Sequence, residues 1–143
     1  MIKHVLPGIL CILAGCSQKQ EPKDAYESLK NGKWVLSGCI VKPLVNGKDS
    51  NVFEMYPVCM KDDTLAFRED GKLVRHNAFT GCQPEEKTEV YSLWKEKDKN
   101  SFYIDSTLNT IRSISDQQVV LESSQKIHSV TYSFIATYSN RAK

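Results

Sequence analysis

From Lys33 onward apolar and polar residues alternate with a period of two, the spacing of a strand that buries one face. Trp34, Leu36, Gly38 and Ile40 alternate with Val35, Ser37, Cys39 and Val41, and Pro43 ends the run because proline brings no donor to a ladder. A loop from Leu44 to Val58, containing Asn46-Gly47, comes next. Seven more short strands are then predicted, at about 63–69, 72–78, 88–95, 101–106, 108–114, 117–123 and 128–138, each bounded by turn residues. Asp70-Gly71 joins the first two of these as a tight hairpin, and the last strand puts Val130, Tyr132, Phe134, Ala136 and Tyr138 on one side. Ahead of the strands, Asp24 to Gly32 reads as one or two helical turns: Asp24 caps the start, Tyr26 and Leu29 share a face, and Gly32 suits the stop.

Eight sequential strands with short connections point to an all-β fold, an up-and-down antiparallel β-barrel preceded by a short helix, which closes its own edges. The alternative is a sandwich, which needs longer crossover connections.

The first residues follow a different rule. One basic residue, Lys3, precedes an apolar stretch that ends in Leu13-Ala14-Gly15-Cys16. That stretch has the length of a secretory h-region and falls short of the ~20 residues of a membrane-spanning helix. The tetrad looks like the lipobox of bacterial lipoproteins, so residues 1–15 are expected to be a signal peptide and Cys16 the lipid-bearing first residue of the mature protein. An ordinary secretory signal with a cysteine after Ala-Gly is the other reading. One acyl chain holds a protein weakly, at ~0.8 kcal/mol per buried methylene, whereas the two or three acyl chains of such a cysteine, palmitate among them, hold it permanently. Residues 16–23 are polar and interrupted by Pro22, which suits a flexible tether, and residues 24–143 form the barrel domain. Ser17 in place of an aspartate tilts the address toward the outer membrane, facing either the periplasm or the exterior.

Of the 19 basic residues in the 143-residue chain, Lys3 leaves with the signal, so 18 stand against 17 acidic ones and the mature charge is +1. Without a clustered Lys/Arg face there is no footprint for nucleic acid. Chemistry is equally thin. His76 and His128 fall on separate strands, and no phosphate loop, nucleophile elbow or Cys-x-x-Cys occurs, so an enzyme, a cofactor and a metal all lack a motif. Asp62-Asp63 offer two carboxylates, but neighbours on a strand point to opposite faces, and the pair reads better as ending a strand in hydrogen bonds.

A short helix, Gly32-Lys33-Trp34 opening the first strand, the run from Cys59 to Phe67 that leads into Asp70-Gly71, and Gly81-Cys82 together resemble the lipocalin-like lipoproteins of Bacteroidetes-type bacteria, over roughly residues 29–138. The resemblance implies an eight-stranded barrel with Trp34 plugging its closed end, in a family most of whose members have no assigned ligand.

Eight strands enclose an interior just wide enough either to be filled by side chains or to hold one small ligand. Trp34, Phe67, Trp94, Phe102, Tyr132 and Phe134 are the candidate ligand-binding residues, with hydroxyls such as those of Tyr132 or Thr88 to orient a guest. The function expected is a non-enzymatic, membrane-tethered barrel that binds a small apolar or amphiphilic molecule. The rival is a protein-binding module of the envelope, an enzyme inhibitor or complex component, that uses Val52, Phe53, Met55 and Tyr56 of the long loop as its patch.

Export to an oxidising compartment leaves Cys39, Cys59 and Cys82 to pair. With Asp70-Gly71 as the two central turn residues, Phe67 faces Val74 and the same count sets Cys59 against Cys82, within disulfide reach if no bulge shifts the ladder. Cys39 is the odd thiol; alternating with Trp34, it is expected to point away from the interior and pack under the helix.

Overall fold

The computed structural model describes residues 24–43, 50–77 and 89–141. The signal peptide 1–15, the tether 16–23 with Cys16, Cys82 and Thr88 lie outside the described residues.

Helix α1, Ala25–Lys30, starts where the Asp24 carboxylate accepts the Tyr26 N–H at 3.0 Å. Its buried face carries Tyr26 and Leu29. The Tyr26 hydroxyl lies 2.5 Å from the Asp98 carbonyl and 2.6 Å from that of Ser101, which fastens the helix to a turn at one end of the sheet. The Leu29 carbonyl accepts the Trp34 indole N–H at 2.8 Å, and the indole folds so closely over Gly32 that a Cβ there would stand 2.2 Å from Trp34 Cε2. Helix, glycine and tryptophan form one stopper.

The strands are β1 (Trp34–Lys42), β2 (Ser50–Asn51), β3 (Thr64–Phe67), β4 (Lys72–His76), β5 (Glu89–Asp98), β6 (Ser101–Ile104), β7 (Thr107–Ile114), β8 (Gln118–Ile127) and β9 (Val130–Asn140). From β3 to β9 each pairs antiparallel with the next, and β1 pairs with both β3 and β9, so eight strands close into an up-and-down barrel with β2 as an appendage. This is the barrel that the period-two alternation predicts, and not a sandwich. The β1–β9 seam runs from Trp34 opposite Asn140 to Lys42 opposite Ser133. Against β3, by contrast, β1 makes only the pairs Trp34–Leu65 and Val35–Thr64. Further along, its edge is taken by β2, and the Cys39 carbonyl accepts the Val52 N–H at 2.9 Å. A 3-10 turn, Phe53–Met55, and a one-turn helix α2, Val58–Lys61, complete the wall between β1 and β3 at the open end.

Three expectations are corrected. The β3–β4 hairpin places Phe67 opposite Leu73, not Val74. Its turn has three residues, Glu69-Asp70-Gly71, since the Arg68 carbonyl accepts the Gly71 N–H at 3.2 Å and Gly71 takes φ +80°, the left-handed conformation of a bulged three-residue loop. Cys59 sits on α2 and not on a strand, so it takes no place in the ladder, which ends at the pair Thr64–His76; Cys82 lies outside the described residues. Cys39 points inward and is buried, because the β1–β9 ladder slips between Leu36 and Gly38. That bulge reverses which residues of β1 face the interior.

The closed half is packed solid. Phe67 stands edge-on to Trp94 and to Phe102, with ring centroids 5.4 and 5.5 Å apart, and Tyr26 and Trp94 meet Phe102 edge-on as well. Leu29, Trp34, Leu73, Ile111, Val119 and Leu121 fill the gaps. Each fully buried large apolar side chain here contributes roughly 1.5–3 kcal/mol. The Trp94 indole N–H donates to the Arg68 carbonyl at 2.9 Å, so the apolar floor strands no polar atom of that ring.

Candidate functional site

Above the aromatic floor the barrel is hollow. A cavity of ≈ 540 Å³ occupies the open half, inside the range of small-molecule sites. A recess of ≈ 80 Å³ continues it downward, bordered by Trp34, Phe67, Ile104, Val119 and Leu121, and shares Leu65, Ser123, Phe134, Ala136 and Tyr138 with the larger space.

Strand register explains who faces inward. On β9, Tyr138, Ala136 and Phe134 climb the wall opposite Val119, Leu121 and Ser123 of β8, and opposite Leu36, Cys39 and Val41 of β1 once the bulge has reset its phase. Arg75 of β4 faces Leu65 of β3, and Thr107 of β7 faces Ile104 of β6. Tyr56, Met60 and Asp63 come from the segment that replaces the β1–β3 ladder. The wall is therefore two-faced. Leu36, Cys39, Met60, Phe134, Ala136 and Tyr138 make an apolar side around β1, β9 and α2, while Asp63, Arg75, Thr107, Ser123, Ser124 and Gln125 make a polar side.

Electrostatics sharpen the division. Burial, more than any neighbour, pushes the Cys39 thiol up, against a hydrogen bond with Tyr56 that lowers it. Burial likewise raises Tyr56, and takes Tyr138 up to about 12 with the help of Cys39 and Tyr56 beside it. All three stay neutral at physiological pH, and a neutral thiol is a weak nucleophile. On the polar side Arg75 Nε lies 3.7 Å from Asp63 Oδ2, and Asp63 is only 8% exposed. The arrangement has the room and the two kinds of wall to enclose a small molecule and orient it.

Of the six aromatic candidates, Phe134 lines the cavity and Trp34 and Phe67 border its lower recess. Trp94 and Phe102 belong to the packed floor, and Tyr132 lies opposite Gln125 nearer the mouth without lining the cavity. Leu36, Leu65, Arg75, Thr107, Ser123, Gln125 and Ala136 were not singled out by sequence, although the phase of β8 and β9 places the last three on the inner face. Asp63 does not form a paired carboxylate site with Asp62; it meets Arg75. His76 stands 3.9 Å from Glu89 at the exposed end of β4, and His128 occupies a turn with φ +54°. Among the described residues no group of three side chains is placed to hold a metal. Cys39 is the free cysteine among the described residues, whereas Cys59 is disulfide-bonded. In the long loop Met55 and Val58 project outward, 80% and 71% exposed, beside an apolar recess of ≈ 390 Å³ that shares Tyr56, Met60 and Phe134 with the cavity.

No protein-family model and no curated protein matches the sequence. Among solved structures the chain is similar to bovine odorant binding protein in complex with its natural ligand, at 13% identity over 87% of this chain and 79% of that one, with a TM-score of 0.49. It is also similar to a deswapped triple mutant of bovine odorant binding protein, at 12% identity over 78% of this chain and 74% of that one, with a TM-score of 0.45.

Proposed function

We propose that this chain is a lipid-anchored, lipocalin-like lipoprotein of a bacterial envelope that, without enzymatic activity, holds one small apolar or amphiphilic molecule in the open half of its barrel. The observation that carries this reading is the ≈ 540 Å³ cavity above a packed floor, with one apolar and one polar side. An interior filled by side chains would leave no such space in an eight-stranded barrel. Titration of the protein with fatty acids, retinoids and haem, followed through Trp34 and Trp94 fluorescence, is expected to give saturable binding of one molecule per chain. A flat response across all three classes rules the reading out.

The anchor and the covalent frame are part of the same proposal. Cys16 carries the lipid, and Cys59 pairs with Cys82, which leaves Cys39 free in the cavity wall. Expression of the full chain in a bacterial host with radiolabelled palmitate is expected to label the wild type and not Cys16→Ser. A non-reducing peptide map of the same material is expected to show a Cys59–Cys82 cross-link. Equal label in both proteins, or a cross-link to Cys39, contradicts the respective assignment.

The outward Met55 and Val58 favour one second reading, a protein-binding patch at the barrel lip. That reading gains if the titration is flat.

A further inference from the structure

We infer that Tyr138 sets the specificity of the cavity: its hydroxyl selects apolar guests that carry an acceptor oxygen, as in a ketone, ester or ether, over hydrocarbons of the same shape. This rests on the proposed binding function. The polar tips of the other interior aromatic residues are already engaged. The Tyr26 hydroxyl lies at hydrogen-bond distance from the carbonyls of Asp98 and Ser101, the indoles of Trp34 and Trp94 donate to the carbonyls of Leu29 and Arg68, and Tyr56 is bonded to the Cys39 thiol. Among the described residues, by contrast, the Tyr138 hydroxyl has no hydrogen-bond partner. Its ring stands in the inward phase of β9, opposite Leu36 and Val119, packs against the core cluster, and borders both the cavity and the lower recess.

A tyrosine hydroxyl enclosed by protein ordinarily finds a partner, because a donor left unmatched away from water forfeits its hydration. In the free protein, solvent that enters the cavity serves this hydroxyl, and a guest that fills the space displaces it. A hydrocarbon guest then strands the donor, whereas a guest with an oxygen at that depth takes over the bond. The penalty falls on the wrong guest alone, in the way a site that bonds a polar group rejects the analogue lacking it. Burial takes the phenol up to about 12, so it remains a neutral donor throughout the physiological range. Leu36, Phe134 and Ala136 line the wall around it, so the rest of the guest on this side is apolar.

The test uses two probes of one shape, benzophenone and diphenylmethane, which differ in a carbonyl set in place of a methylene. Each is titrated calorimetrically into protein made from the full chain, as wild type and as Tyr138→Phe, which removes the hydroxyl and keeps the ring. The substitution is expected to weaken benzophenone at least roughly tenfold and to change diphenylmethane by less than about twofold. The thermal melt of the variant is expected to match the wild type, because the hydroxyl gives up no hydrogen bond within the fold. Equal weakening of both probes, or no change in either, overturns the inference and leaves the binding function standing. A melt far below wild type, or a variant that does not fold, shows the hydroxyl committed to the structure and overturns it as well. If neither probe binds the wild type the inference also fails, and the binding function is then judged by the titration with fatty acids, retinoids and haem.

Discussion

Trp34→Ala is expected to lower the free energy of unfolding by about 3–5 kcal/mol, the range for removing a large buried aromatic side chain. Three interactions are lost together. The indole is 1% exposed and packs in the core cluster with Leu29 and Phe67. It also covers Gly32 and satisfies the Leu29 carbonyl at the end of α1, so its removal unseats the helix as well as opening a void. Against a total of roughly 5–15 kcal/mol for a domain, the variant sits near the limit of folding. Urea denaturation read by far-ultraviolet circular dichroism measures it. Trp34→Phe keeps most of the apolar bulk and loses the indole hydrogen bond, and is expected to cost much less. A loss below about 1 kcal/mol for the alanine variant would mean that the stopper is not a structural keystone.

Ala136→Trp is expected to abolish ligand uptake, with affinity falling at least roughly a hundredfold while thermal stability stays close to wild type. Ala136 lies on β9 between Cys39 on β1 and Leu121 on β8, and it lines both the cavity and its lower recess. An indole there projects into empty space and not into the packed floor, so it takes the guest's volume without the strain that overpacking brings to a filled core. The fluorescence titration described above reads the affinity and a thermal melt reads the fold. Undiminished binding by a folded variant would place the ligand outside the barrel.

The number and order of the barrel strands, and the inner face of β8 and β9, were legible because period-two alternation is a strong signal wherever one face is buried. Register was less so. Asp70-Gly71 suits a two-residue turn, yet it equally ends a three-residue loop, and the two differ only in whether Glu69 belongs to the turn. Cys39 was misplaced because a bulge inserts one residue into the count, and its trace here, a glycine at position 38 inside a strand, is shared with many unbulged strands. The candidate site was half visible. Alternation tells which face an aromatic residue occupies but not how far down the barrel it lies, so Trp94 and Phe102 looked equivalent to Phe134 although they fill the floor. Asp63 lies just ahead of β3 and reaches Arg75 diagonally across the hairpin; the two share a face only in the observed three-residue-turn register, whereas a two-residue turn puts them on opposite faces.

The seam between β1 and β9 has a consequence for biogenesis. It joins the first barrel strand to the last, so the cylinder stays an open sheet until the strand ending at Asn140 has been synthesised. Until then β1 offers nascent neighbours an unpaired edge, the kind of template on which chains aggregate. Closure between partners so distant in sequence is also intrinsically slow. The period between emergence of β1 and arrival of β9 is thus when the chain most needs a chaperone, and when truncation of its final strand does the most harm.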